Sequence, residues 1–230
     1  MRIWAALLSA ALAAPAAAET ITGARFTEPT SRYGHAVLGD AIEYGALEVD
    51  VAGRGTVTFT LPQDHVFEDL TPRLWDVTGD GAPEVVVVET DMARGGALAI
   101  YGAEGKIAET PHIGQTNRWL APIGAADLDG DGAIEVAYVD RPHLAKTIRV
   151  WRFADGGLTP VANLAGFTNH RIGEDFISGG LRDCGAGPEM VLATGNWRDV
   201  VSVRFDDTAF AVRKLADFAG PPSLQAALSC

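Results

Sequence analysis

The amino-acid sequence predicts an all-β fold, a small β-propeller of about four blades with a short C-terminal tail. Three observations carry that expectation. An acidic, glycine-rich turn leading into an apolar strand recurs along the chain, strand units of ~40 to 50 residues follow one another without a helical segment between them, and 26 glycines with 12 prolines supply the turns.

The two best-matched units are Asp76-Val77-Thr78-Gly79-Asp80-Gly81-Ala82-Pro83-Glu84 before the strand 85–88 and Asp127-Leu128-Asp129-Gly130-Asp131-Gly132-Ala133-Ile134-Glu135 before 136–139, with starts 51 positions apart. An earlier unit, Gly39-Asp40-Ala41-Ile42-Glu43, precedes 44–47, and a later one, Asp183-Cys184-Gly185-Ala186-Gly187-Pro188-Glu189, precedes 190–193 with most acids gone. The anchors are therefore Glu43, Glu84, Glu135 and Glu189. Second strands follow at 97–101, 147–153 and 200–205, each ahead of a hairpin-like turn, and short strands precede the acidic turns at 73–75, 123–126 and 176–181. About four strands per unit fits a blade, because one four-stranded sheet cannot bury both faces until a neighbour stacks on it. A β-sandwich also has regularly spaced short strands, but it does not need the same turn at the same place in each unit. Residues 219–229 show no strand pattern, and Pro221-Pro222 with Leu224, Ala226, Ala227 and Leu228 suits a short helical tail.

With 230 residues, 47% of them apolar and 21% charged, the chain can build a core as one domain or two small ones. Eighteen basic against 30 acidic residues give a net charge of −12, which repels a phosphate backbone and excludes nucleic acid as a partner. Arg2, the apolar stretch 3–14, Pro15 and the small residues 16–18 read as a secretory signal peptide over 1–18, cut after Ala18. That stretch is shorter than the ~20 residues needed to cross a bilayer, and no later segment approaches that length. The mature domain, 19–230, is expected in the periplasm or secreted, with no membrane span after signal cleavage. In that setting Cys184 and Cys230 pair as a disulfide rather than remain two reduced thiols, and closing the loop stabilises by about 4 kcal/mol in the chain-entropy model.

Alternate carboxylates at Asp127, Asp129 and Asp131 turn their oxygens inward when the backbone curls, and Gly132 permits the bend that follows. Hard oxygen ligands call for a hard cation, and three aspartates, the Ala133 carbonyl and Glu135 nearly fill the shell of Ca2+. Histidine and cysteine are absent from the loop, which disfavours zinc and copper there. An EF-hand would place its glutamate at loop position 12, where this chain has Tyr138 or, in the earlier unit, Val87. The alternative is an ordinary acidic surface turn, which Asp-Gly sequences form without metal.

Asp-Leu-Asp-Gly-Asp-Gly-x-x-Glu before an apolar strand resembles the calcium turn of FG-GAP and VCBS-type repeats, the units of integrin α-chain propellers. The resemblance implies side-chain ligands Asp127, Asp129, Asp131 and Glu135 with the backbone oxygen of Ala133. In the earlier unit it implies Asp76, Thr78, Asp80 and Glu84 with the backbone oxygen of Ala82. Thr78 stands where an acid is usual, so that site has three carboxylates and weaker expected affinity, roughly 10⁻⁴ to 10⁻³ M. The turns at 39–40 and 183–184 lack the ligand count. Such propellers commonly have seven blades, more than this chain can supply.

None of the five histidines, His35, His65, His112, His143 and His170, lies in a metal-ligand pair such as His-Glu-x-x-His, and no Gly-x-Ser-x-Gly elbow or phosphate-cradling loop is present. The loops opposite the acidic turns hold Arg94, then Arg141 and His143, then Asn196, Trp197 and Arg198. Connections entering the blades add Arg118, Trp119 and Arg171 to that rim. Arginine and tryptophan are enriched in binding hot spots, whereas tryptophan can equally pack between blades. The sequence therefore points to an exported calcium-binding module that binds a protein or glycan, not to an enzyme. The alternative is a periplasmic hydrolase or carbohydrate-active protein with Glu174, His170 or Asp199 converging in a rim cleft.

Overall fold

Strands dominate because runs of β-branched residues alternate with glycine turns, and the pairing is antiparallel throughout. A computed structural model describes residues 19–230; the expected signal segment 1–18 lies outside the described residues. The first unit is β1 (Ile21–Thr30), β2 (Glu43–Val51) and β3 (Gly55–Thr60), with β2 in the middle. The second comprises β4 (His65–Phe67), β5 (Arg73–Trp75), β6 (Glu84–Asp91), β7 (Gly95–Gly102) and β8 (Gly105–Glu109). The third is β9 (Leu120–Ala126), β10 (Ile134–Asp140), β11 (Thr147–Ala154) and β12 (Gly157–Ala165). The fourth comprises β13 (Phe167–Thr168), β14 (Gly180–Asp183), β15 (Pro188–Thr194), β16 (Asp199–Phe205) and β17 (Phe210–Asp217), followed by the helix α1 (Pro221–Ala227).

These units make three hydrogen-bonded sheets of eight, four and five strands rather than four separate blades. The reason is β4, which pairs with β6 and also meets β2 at Tyr44 and Phe67, so the first two units merge. The strand ahead of the acidic turn is continuous in the first and third units, as β1 and β9. In the second it is split into β4 and β5, both paired with β6, and in the fourth into β13 and β14, both paired with β15. The strand expected at 176–181 accordingly starts only at Gly180. Gly179 turns there at φ +77°, where a Cβ would lie 2.1 Å from the Val191 carbonyl oxygen.

Central strands are buried on both faces, and their alternation stacks the units. Val85 and Val87 face Leu47 and Val49 of the first unit, while Val86 and Val88 face Val136 and Tyr138 of the third. Ala137 and Val139 in turn pack with Met190 and Leu192, and Val191 and Ala193 pack under Leu224 of α1. The two ends of the stack differ. On the first unit the outward face of β2 is polar, with Glu48 and Asp50 both paired to Arg25. On the fourth unit α1 covers the outer face, and a Cys184–Cys230 disulfide, Cα atoms 5.6 Å apart, ties the tail down. No helix among the described residues is long and apolar enough to cross a membrane.

Residues 31–42 leave the first unit and reach the opposite side of the stack. The Val37 carbonyl accepts a 3.0 Å bond from Gly173 N, the Tyr33 hydroxyl accepts a 2.7 Å bond from Asn117 N, and Val37 and Leu38 join the cluster around Trp119.

Candidate functional site

Each acidic turn is built by one aspartate holding two glycines. Asp127 accepts from Gly130 N at 2.7 Å and Gly132 N at 3.0 Å, and Asp76 accepts from Gly79 N at 2.8 Å and Gly81 N at 2.9 Å. Asp183 repeats the arrangement with Gly185 at 2.8 Å and Gly187 at 3.1 Å. All six glycines have positive φ, so the curl follows from Asp-capped, left-handed backbone whether or not the remaining acids are present.

In the turn at 127–135 one oxygen each of Asp127, Asp129 and Glu135 lies within 4.8 Å of the others, an all-oxygen set that suits a hard cation. Glu135, fully buried at the mouth of β10, also accepts from Leu128 N at 2.9 Å. Asp131 is exposed on the outer side of the turn, where its Oδ1 accepts from Ala133 N at 2.8 Å.

The same space holds Arg152 from β11, register partner of Glu135. Its Nε donates to Glu135 at 2.7 Å, it pairs with Asp129, and its Nη1 lies 3.1 Å from Asp131. The bond to Glu135 holds the guanidinium above its ordinary value, while burial pushes Glu135 up in opposition to its contact with Arg152. Arg152 thus brings one positive charge to three of the four clustered acids, Asp129, Asp131 and Glu135. Arg204 takes the matching position across from Glu189, 3.9 Å away, and Arg182 reaches Glu189 at 2.6 Å. In the second unit the residue just beyond the Val85–Tyr101 pair is Gly102, which offers no cation. There Glu84 is satisfied locally by Val77 N at 2.8 Å, Thr78 N at 3.1 Å and the Thr78 hydroxyl at 3.2 Å, and Asp80 by Ala82 N at 2.8 Å.

At the opposite end of the sheets, Arg118, Trp119, Arg141 and His143 line a cavity of about 320 Å³, joined by His35, Asn117, Leu144 and Ile172. Trp119 is 2% exposed and belongs to the core, its indole N–H donating to the Glu68 carbonyl at 2.8 Å. Asn117 at φ +58° and Arg141 at φ +45° hold left-handed backbone that costs ~1 kcal/mol or more each, a strain that clusters at functional sites. Arg141 is braced by Asp140 at 2.7 Å. Burial, with His170, His35 and Lys146 nearby, pushes His143 down to about 4, so it stays neutral near pH 7.

The remaining rim residues do not line the cavity. Arg171 lies over the Trp197 ring at 4.3 Å and over Phe218 at 5.0 Å, a second platform, with Asn196 and Arg198 on the adjoining hairpin. Arg94 pairs with Asp91. Of the three residues expected to converge in a hydrolase cleft, His170 is buried with Nε2 on the Glu174 backbone oxygen at 2.9 Å, the Glu174 carboxylate accepts from Arg171 N at 3.1 Å, and Asp199 pairs with Lys214 at 2.6 Å. His35 and Ile172 escaped the sequence reading because the crossing segment 31–42 and the break between β13 and β14 bring them to the rim. Arg152 escaped it because its role depends on hairpin register, although arginine at matching hairpin positions, 152 and 204, was a visible signal.

A search of curated proteins finds no match to this chain. Residues 76–138, which span both acidic turns and the strands between them, match the family model of an FG-GAP-like repeat. That match, together with the Asp-capped turns and antiparallel strands it spans, identifies residues 76–138 as an FG-GAP-like repeat.

Proposed function

We propose that this is an exported, calcium-stabilised binding or scaffold module that takes a protein or glycan partner on the rim opposite its acidic turns, and that it is not an enzyme. The observation that carries the reading is the cavity bounded by Arg118, Arg141 and His143, a concave site with two cationic groups on a chain of net charge −12. A partner bearing carboxylates fits it best. The β-propeller-like stack holds that rim rigid, and Ca2+ at Asp127, Asp129 and Glu135 would tie the far edge of the third unit, with Arg152 swinging aside.

Two measurements test the reading. Binding to an array of acidic and neutral glycans and to candidate partner proteins should fall at least tenfold in Arg118→Glu and Arg141→Glu, and unchanged capture by both variants rejects the rim. For calcium, the wild-type chain should melt higher with Ca2+ than with chelator and Asp129→Ala should lose that difference; equal melting of the wild type in both rejects it.

A second reading, a periplasmic hydrolase or carbohydrate-active protein, is supported by one contact: His35 at the cavity wall is oriented through Nδ1 by the buried Glu68 carboxylate. Hydrolysis of glycoside or ester substrates that is abolished by His35→Ala would favour it over the binding module.

A further inference from the structure

We propose that His65, Asp91 and His112 form a second metal site of a different chemical class, one that takes Zn2+ or a similar first-row divalent ion through two imidazoles and a carboxylate. It lies at the end of β6 opposite the acidic turn. His65 on β4 stands directly across from Asp91 at the end of β6, with Nε2 3.8 Å from Oδ2. His112 comes from the β8–β9 connection, which is pinned beside the β6–β7 hairpin by bonds from Ile113 N to the Gly96 carbonyl at 3.0 Å and from Gly114 N to the Arg94 carbonyl at 2.8 Å. The two imidazoles meet edge to face, centroids 5.9 Å apart. One ligand atom of each of the three residues lies within 4.8 Å of the other two.

The hydrogen bonds around the triad set the tautomers. His65 Nδ1 faces the Asp64 carboxylate at 2.9 Å, and His112 Nδ1 faces the Gly95 carbonyl at 2.7 Å. Each ring therefore donates through Nδ1 and keeps its lone pair on Nε2. This is the orientation that metal-ligating histidines are given by an outer carboxylate or backbone oxygen. Asp91 is oriented too, since its Oδ1 accepts from Ala93 N at 2.8 Å and Arg94 N at 3.0 Å while Oδ2 faces His65. Around Zn2+, ligand atoms stand roughly 3.3 Å apart at bond lengths of ~2.0 to 2.2 Å, so modest rotation of the imidazoles closes the shell.

One group now holds Asp91 Oδ2, the Arg94 guanidinium at 2.5 Å, and with its side chain 60% exposed it can leave for solvent. The N2O donor set separates this site from the all-oxygen turn at 127–135: imidazole suits Zn, Cu, Fe and Ni, whereas Ca2+ calls for oxygen. Three protein ligands leave a fourth position open at the rim, where water or a partner's side chain can bind.

The test uses the mature chain, stripped with chelator and desalted, then titrated with ZnCl2 by calorimetry and with Co2+ by visible absorption. One equivalent of Zn2+ should bind, and Co2+ should develop the intense bands of a four- or five-coordinate site. His112→Gln and Asp91→Asn should each weaken Zn2+ binding more than about tenfold, and Asp64→Ala about 10- to 100-fold. Arg94→Ala should bind as tightly as the wild type or more so, and Asp129→Asn should be unchanged. Absence of a stoichiometric site, binding that survives loss of both histidines, or binding lost in Asp129→Asn instead would overturn the assignment. Should a triad variant fail to fold by circular dichroism, the wild-type Co2+ spectrum decides, since the weak bands of octahedral Co2+ also reject the site.

Discussion

Arg152 and Glu135 face each other across the β10–β11 hairpin, 2.7 Å from Nε to Oε1, and this pair places a fixed cation inside the turn where the sequence calls for a mobile one. The arginine and the calcium ion proposed for this turn would therefore be alternative neutralisers of the same carboxylates.

Replacing Arg152 with Gln should separate the two. Without metal it leaves the fully buried Glu135 unpaired, and removing one partner of a buried ion pair costs about 3 kcal/mol. Added Ca2+ should restore most of that loss in a denaturant titration, and its apparent affinity should exceed the wild type's. A variant equally unstable with and without Ca2+ would show that the turn cannot exchange one cation for the other.

Glu43 makes stability depend on pH in an unusual direction. Burial, followed by the neighbouring Glu68, Asp40 and Asp69, pushes its carboxyl up to about 9. The folded chain then binds a proton that the unfolded chain releases near pH 4 to 5, so this group's contribution falls as pH rises from about 5 to 9. Glu43→Gln should match the wild type near pH 4 and exceed it by at least about 1 kcal/mol at pH 8, read from urea midpoints at the two values. An advantage equal at both would contradict the assignment.

The helical tail contributes through packing and through its covalent tie. Leu224, fully buried against Val191 and Ala193, should cost about 2 to 4 kcal/mol on replacement by Ala. Cys184→Ser with Cys230→Ser should cost about 2 to 4 kcal/mol. Thermal melts of each variant, and of the wild type with and without reductant, check both values. A reductant-insensitive wild type would mean that the tail is held by packing alone.

Much of the fold was legible because its anchors are local. A glycine-bearing turn and a glutamate before a mostly apolar run mark each central strand, with proline added at β6 and β15, and β5 falls at Arg73–Trp75, where it was expected. The helix at Pro221–Ala227 follows from two prolines and a short apolar stripe. What escaped was non-local. β1 carries alternating polar residues that face solvent and gives little hydrophobic signal, and the β4 bridge between two units depends on pairing between distant segments. At the candidate sites the acidic turns could be read from spacing, but Arg152 enters through cross-strand register. His65, Asp91 and His112 are drawn from three separate segments that only the β4–β6 pairing and the β8–β9 connection bring together.

The helix on the outer face of the last sheet also governs how such a chain can lengthen in evolution. Because α1 covers the outer face of the last sheet, with Leu224 buried against Val191 and Ala193, a further sheet cannot stack there while the helix stays in place. Duplication is unobstructed upstream of the tail, where each new sheet slots between two existing ones and meets the same kind of apolar surface on both sides. Homologues with more units should therefore carry them ahead of the segment that corresponds to α1.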